Sequence, residues 1–429
     1  MNSAPVVGWR CVVCGATVDI SEPMVFHCPR ATPTDRFHTL QIVQHEALVQ
    51  PANELNPFLA YQHYYAWDSF AAALGMSSEA RRALVAEVDA KVAVLAGNGL
   101  VTTPFARADA LSDALHFGAS GGVWIKDETH QATGSHKARH LVSALLHLLV
   151  AEHFGRTPWG NRTNERRTLA IASCGNAALA AATLAAAVHW PIQVFVPPNA
   201  NPSVLQRLHE LGVTITMCPR RPHDPLGDPC VLRYREAVAH GAIPFSVQGP
   251  ENAWCLDGGR NLGWEMSAVP LDRVFVQVGG GALARCVIGG LAQAASTLPA
   301  LHAVQTEGCA PLARAWRRAL DGPGGLATAG ARWRDCMTPW EAEPFSAADG
   351  ILDDETYDWL GVVNGMAASG GSPVLAAESH VLRANQLASL HTSIDASHTG
   401  TAGLAGLLAI RSEVRDNERV AVIFSGIRR

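Results

Sequence analysis

The sequence predicts an α/β protein, with a parallel sheet covered by helices on both faces and a small cysteine-bearing ribbon in front of it. Three observations predict this. Between residues 168 and 260 short apolar runs alternate with stretches of helical spacing, the rhythm of strand–helix–strand units. Two further apolar runs, at 122–125 and 273–278, each lead into a glycine-bearing turn and then a helical pattern, which is where α/β folds place ligands. The ten cysteines are unevenly placed: Cys11, Cys14 and Cys28 crowd the first stretch, and the seven from Cys174 to Cys336 have no paired spacing.

Residues 1–40 read as a separate unit. Cys11-Val-Val-Cys14-Gly15 has the spacing of a zinc knuckle, with the glycine easing the reversal. Cys28 adds a third thiolate, and His38 or His27 a fourth ligand, for a structural zinc. The plain alternative is a ribbon that has kept some of its cysteines and lost its metal. Residues 50–100 are helical in pattern, with Tyr61, Tyr64, Tyr65 and Trp67 as packing residues. Ser77 or Ser78 caps the helix that runs through Val94, and Gly97-Asn-Gly99 breaks it.

Gly122 to Ile125 reads as a strand and Thr133-Gly134-Ser135 as a tight turn. Ala138, Leu141, Val142, Leu145, Leu146 and Leu149 then recur at helical spacing. Lys137 therefore stands in the first turn of a helix just past a strand. The positive end of the helix dipole favours its neutral amine, the form that attacks an aldehyde to make a Schiff base. Of the 33 lysines and arginines only three are lysines. Lys91 lies in a charged amphipathic pattern with Glu87 and Asp89, and Lys126 is a strand residue beside Asp127. Lys137 remains as the candidate, although taken alone it reads equally well as a lysine that merely starts a helix.

Leu169 to Ala172 is the next strand, followed by Ser173-Cys174-Gly175-Asn176 and an Ala-rich helix to His189. A glycine turn opening a helix exposes backbone N–H groups that suit an anion. The carboxylate of an amino-acid substrate would rest on Ser173, Cys174, Gly175, Asn176 and Ala177. Strands follow at Ile192–Val196, Val213–Met217 and Ile243–Val247. After the run at 273–278 come Gly279, Gly280, Gly281, Ala282 and Leu283. Their backbone can approach a phosphate closely, and a helix starts there. No Gly-Lys-Ser/Thr follows, and the third glycine is misplaced for a dinucleotide fingerprint. Val304 to Pro311 is a strand leaving into a loop, where Glu307 either faces a cleft or caps the next helix. Residues 321–350, rich in Gly, Pro and Ala, read as a surface excursion. Ser397 to Gly406 opens a late helix, and a buried strand from Val420 delivers the Ser425 hydroxyl.

Four motifs in this order resemble those of the fold-type-II pyridoxal-phosphate enzymes (the tryptophan synthase beta superfamily), the group of threonine synthase and the threonine and serine dehydratases. They are Thr133-Gly-Ser-His-Lys137, Ser173-Cys-Gly-Asn176, Gly279-Gly-Gly281 and Ser425-Gly426. The resemblance covers roughly residues 50–429. It implies two open twisted sheets covered by helices. A large cofactor-binding domain would take 41–134 and 251–429, and a smaller substrate-side domain 135–250, after the zinc-ribbon-like unit of 1–40. It also implies roles. Lys137 would bond pyridoxal 5'-phosphate and act on the α-proton, and Asn176 would meet the ring hydroxyl. Gly279 to Leu283 would hold the phosphate, and Ser425 would meet the pyridine nitrogen. A homodimer is implied, acting on a small amino acid by elimination or replacement at its β or γ carbon.

Within the family the ribbon, the N-terminal helices, Ala177 and the wording of 304–311 favour a threonine-synthase-like lyase that turns O-phosphohomoserine into threonine. Lys126 and Arg139 would then meet the substrate phosphate. Against that branch stand His136, Ala138 and His140, where it tends to Phe, Asp and Gly, while Gln131-Ala-Thr-Gly-Ser is closer to dehydratases. A threonine or serine dehydratase (ammonia-lyase) is the alternative. From another class, a non-catalytic binding protein would use the ribbon for contacts.

Composition sets bounds. With 48% hydrophobic and 17% charged residues, a chain of 429 can bury a sizeable core in one large or two medium domains. A net charge of −5 and a pI near 6.4 imply no nucleic-acid surface. The start lacks the basic region and long apolar run of a leader. The longest apolar runs, as at Leu179 to Val188, are too short to span a bilayer. The expectation is a cytoplasmic protein with free, buried thiols and no membrane partner.

Overall fold

A computed structural model describes residues 5–45 and 48–429; the first four residues, on which part of the leader expectation rests, lie outside the described residues. The chain forms two compact units. One holds Met1–Thr102, Gln131–Thr133 and Lys137–Gly259, and the other Thr103–His130, Gly134–His136 and Arg260–Arg429.

The first unit begins with the ribbon, a three-stranded antiparallel sheet in the order Thr17–Asp19, Val6–Cys11, Leu40–Gln44. The knuckle closes with Cys11 N–H donating to Ala16 O at 2.8 Å, and Gly15 takes φ +70°, as a tight reversal requires. The helix Ser78–Ala96 starts where Ser77 Oγ accepts Ala80 N–H at 3.1 Å and stops at Gly97 with φ +84°. A four-stranded parallel sheet follows in the order Thr214–Met217, Ile192–Val196, Leu169–Ala172, Ile243–Pro244. Its helix Asn176–Ala187 is buried on nearly every side. Its sequence, alanine-rich and apolar all round, suits a helix with no solvent face.

Residues 41–102, expected with the larger domain, fall in this first unit. The reason is Asp257, whose Oδ1 accepts Ala66 N–H at 2.8 Å while Oδ2 accepts Ser143 O–H at 3.0 Å. One carboxylate thus satisfies the start of the helix Ala66–Ala73 and ties it to the helix Lys137–His153. The ribbon grips the same helix. Met24 N–H donates to His147 Nε2 at 3.3 Å, and Trp254 stacks on that imidazole at 3.8 Å between centroids. Trp254 Nε1–H donates to Val25 O at 2.8 Å, and Ala253 N–H to Phe26 O at 2.6 Å. Burial pushes the His147 pKa down to about 3, so the imidazole is neutral and can accept.

The second unit is built on a six-stranded sheet in the order Ser372–Ala376, Ala300–Thr306, Arg273–Gln277, Arg419–Phe424, Gly122–Asp127, Phe105–Arg107. All pairs are parallel except the last. Strand residues Val123, Phe275, Val304, Val420 and Val422 share one buried cluster with Ala402, Leu404 and Leu407 of the helix His398–Ala409. Near-continuous apolar strands are what a sheet covered on both faces demands.

Residues 321–350 lie largely at the surface, as expected, but the segment is pinned down by buried side chains. Ala329, Trp333, Cys336, Met337 and Ala348 are buried, and the Arg314 guanidinium lies 5.1 Å over the Trp340 ring. Glu307 is exposed and caps no helix among the described residues. Gln305 does the capping, its Oε1 accepting Leu312 N–H at 2.9 Å and Ala313 N–H at 3.1 Å. Among the described residues no helix is long and apolar enough to cross a membrane.

Candidate active site

The lysine turn is built where Thr133 and Gly134 both take left-handed backbone, at φ +64° and +70°. A β-branched residue there is strained, a condition that clusters at functional sites. At Gly134 a side chain would strike Ile427. The turn is joined to the end of the C-terminal strand. Ile427 N–H donates to Gly134 O at 3.0 Å, Ser135 and Gly426 form an antiparallel bridge, and His136 N–H donates to Ser425 O at 3.2 Å. Two of the four sequence motifs, far apart in the chain, therefore share backbone hydrogen bonds in the second unit. Lys137 follows by one peptide bond, half-buried, as the first residue of its helix.

The other lysines are engaged elsewhere. Lys91 pairs with Glu87 at 2.6 Å on the surface. Lys126 is fully buried, donates to Thr103 O at 2.6 Å and forms an ion pair with Glu265. Arg139 is also fully buried, with Nη2–H donating to Val101 O at 3.3 Å. A substrate phosphate would have to draw both cations out of these interior partnerships. Breaking the buried pair should be costly: Glu265→Ala is expected to lower unfolding free energy by about 3–5 kcal/mol, measured by urea denaturation. A loss under about 1 kcal/mol, the range of a surface pair, would show that the pair is not dry. His140 is buried beside the lysine and donates from Nδ1 to Cys255 O at 3.0 Å. Burial first, and then the charge of Lys137, push its pKa down to about 3.

The triple glycine ends the strand Arg273–Gln277. Gly281, at φ +94°, precedes the helix Ala282–Ala294. The first N–H groups of such a helix have no partner within it. A side chain at Gly279 would strike the Asp353 carboxylate, and one at Gly280 or Gly281 would press on Tyr357 or Thr356. The segment from Ile351 to Asp358 thus packs on this loop, with Asp358 N–H donating to Gly280 O at 2.8 Å. Sequence reading missed that segment, because an acidic run looks like a solvated surface. It missed Gln277 as well. Gln277 Nε2 lies 2.7 Å from Ser425 Oγ and within 3.2 Å of the carbonyls of Thr399, Gly400 and Ile423. A buried polar residue ending an otherwise apolar strand was its only signal.

In the first unit Ser173 and Asn176 are half-buried, Cys174 is exposed and Ala177 is buried. Asn176 opens its helix, Gly175 N–H lies 3.4 Å from Ser173 Oγ, and Ser173 N–H donates to Phe195 O at 3.1 Å. A helix start of this kind turns its first backbone N–H groups toward the place an anion would take.

These residues fit the cofactor that the resemblance implies. Besides the glycine cradle, Ser135 Oγ in the lysine turn is buried and has no hydrogen-bond partner among the described residues, so a ligand atom would satisfy it.

A second cluster lies in the ribbon. One ligand atom each of Cys11, Cys14, Cys28 and His38 lies within 4.8 Å of all the others. His38 Nδ1 is 3.7 Å from Cys11 Sγ and 3.5 Å from Cys28 Sγ, and Cys14 Sγ is 3.6 Å from Cys28 Sγ. Tetrahedral zinc with its usual bond lengths sets edges of about 3.8 Å between sulfurs and about 3.6 Å between sulfur and nitrogen. His38 Nε2 meets Asp35 Oδ2 at 3.1 Å, the outer partner a ligating imidazole needs. His27 is exposed and not in the cluster.

The family described as "Pyridoxal-phosphate dependent enzyme" matches residues 98–426. No curated protein matches the chain. Among solved structures, diaminopropionate ammonia lyase from Escherichia coli superposes with a TM-score of 0.60 at 17% identity, covering 81% of this chain and 89% of that one. Threonine deaminase isoform 2 from Solanum lycopersicum gives 0.59 at 16% identity, with 82% and 91% covered. Maize serine racemase gives 0.59 at 15%, with 80% and 92% covered. At these identities the likeness is one of fold.

Proposed function

The chain belongs to the family of pyridoxal-phosphate dependent enzymes, and from that premise we propose that it is an amino-acid lyase working by elimination at the substrate β carbon. When bound, the cofactor accepts the electron pair left at the substrate α carbon. The protein supplies the rest. Lys137 Nζ anchors the cofactor covalently and, once released, takes the α-proton as general base. Backbone N–H groups of Gly279 to Leu283 hold the phosphate, and the Asn176 amide holds the ring hydroxyl. The Ser425 hydroxyl donates to the ring nitrogen. Backbone groups from Ser173 to Ala177 hold the substrate carboxylate and so orient the α-proton toward Lys137.

One observation carries this reading: the turn before Lys137 is hydrogen-bonded to the backbone of Ser425 and Gly426. That ties the turn leading into the expected anchor to the strand end that carries the expected ring contact. The interior pairing of Lys126 and Arg139 supports a substrate without a phosphate of its own, and hence the ammonia-lyase reading over the O-phosphohomoserine one. The ribbon and the wording of 304–311 support the threonine-synthase-like reading as the second. A threonine deaminase and an ammonia lyase are among the solved structures of similar fold, in keeping with the first.

The test is a product screen of the holoenzyme with serine, threonine, 2,3-diaminopropionate and O-phosphohomoserine. Ammonia with a keto acid supports the first reading. Threonine with phosphate overturns it in favour of the second. No turnover and no borohydride-stable adduct would favour the cofactor-free binding protein. A structural zinc on Cys11, Cys14, Cys28 and His38 belongs to the same proposal. So does a homodimer, which would sediment near twice the 45.5 kDa chain mass.

A further inference from the structure

Gln277 is almost fully buried at the carboxyl end of the strand that leads into the triple glycine. Its amide orientation is fixed by its surroundings. Three backbone carbonyls, of Thr399, Gly400 and Ile423, stand 3.1–3.2 Å from Nε2. An amide turned over would set its own oxygen against all three, so the nitrogen must face them. The oxygen Oε1 points the other way. It has no hydrogen-bond partner among the described residues. It lies where a side chain at Gly403 would meet it at 3.0 Å, so that glycine inside a helix makes room for it.

The fixed amide dictates the state of Ser425. Nε2 is 2.7 Å from Ser425 Oγ and can only donate, so the hydroxyl oxygen accepts there and its proton is left to point elsewhere. We propose that Gln277 is a positioning residue that makes Ser425 a hydrogen-bond donor toward the cofactor ring, and so keeps the pyridine nitrogen unprotonated. The inference rests on the reading that Ser425 meets that nitrogen. A donor hydroxyl pairs with a neutral nitrogen and is mismatched to a protonated one. The electron sink is then weaker, which favours departure of a β leaving group over reprotonation of the α carbon.

The variants are Gln277→Met, which keeps length and volume but cannot donate, Ser425→Ala, and the pair together. Two readouts need no turnover: the dissociation constant of pyridoxal phosphate, and the ¹⁵N chemical shift of ring-labelled cofactor followed against pH. Gln277→Met is expected to weaken cofactor binding about three- to tenfold, the worth of one oriented hydrogen bond. With the hydroxyl free to accept, it should also raise the pH at which the ring nitrogen protonates by about one unit, which is about 1.4 kcal/mol of differential interaction. The double variant should be no weaker than Ser425→Ala alone, because the two residues act as one unit. Additive losses, or an unchanged nitrogen titration in a Gln277→Met protein that melts like the parent, would overturn the role of Gln277 and leave the Ser425 contact standing. A Ser425→Ala protein with unchanged affinity and titration would overturn the ring-nitrogen contact and the inference with it.

Discussion

Lys137→Ala is expected to abolish the borohydride-fixed adduct and to slow amino-acid turnover by about 10²–10⁴-fold, the usual worth of a positioned general base. The expectation is specific because the other two lysines have defined partners: Lys91 on Glu87 at the surface, Lys126 on Glu265 and Thr103 in the interior. Peptide mapping after reduction should place the cofactor on residue 137 alone. The variant should still fold, since Lys137 is half-buried at a helix start, and a small external amine should restore part of the rate. An adduct on Lys91 or Lys126, or a variant that keeps the parental rate, would remove the residue from the chemistry.

Chelation of the proposed ribbon zinc is expected to have the second large effect. Structural zinc in small ribbons brings roughly 10 kcal/mol of binding free energy that is also folding free energy. Holo protein should carry one zinc per chain by elemental analysis. Stripping it, or making Cys28→Ser, should expose the remaining ribbon thiols to titration. It should also loosen the segment from Met24 to Phe26. That segment hydrogen-bonds His147 and Trp254, so the change should appear in tryptophan emission and as new protease cutting near residue 45. Because His147 lies on the helix that Lys137 begins, cofactor affinity should fall with the metal. Protein that contains no zinc, with ribbon thiols already reactive, would remove the metal from the fold.

The motifs were legible because each is local. A strand, a glycine turn and a helix start are written in adjacent residues, and so Lys137, the triple glycine and Ser173 to Asn176 could be picked out without a structure. Partnerships were less legible. Lys126 and Arg139 showed their charge but not what holds it, since Glu265 lies 139 positions beyond Lys126. His38 and His27 were equal candidates for the metal until the ribbon strands placed one inside and left the other exposed. The grouping of residues 41–102 followed a carboxylate at Asp257, which no periodicity announces. The segment 321–350 does run along the surface, but its glycines and prolines gave no sign that Trp333, Cys336 and Met337 would anchor it in the interior.

The strand Arg419–Phe424 lies between Arg273–Gln277 and Gly122–Asp127, so the sheet is completed from its middle by the part of it that is synthesised last. A nascent chain still short of residue 419 holds two unjoined β-fragments, each with a bare inner edge of the kind that invites wrong pairing. Ribosome-bound intermediates should therefore need shelter by chaperones until that strand is released. The turn before Lys137 gains its partners at Ser425 to Ile427 only in that final step, and so the nascent chain cannot complete its cofactor site early.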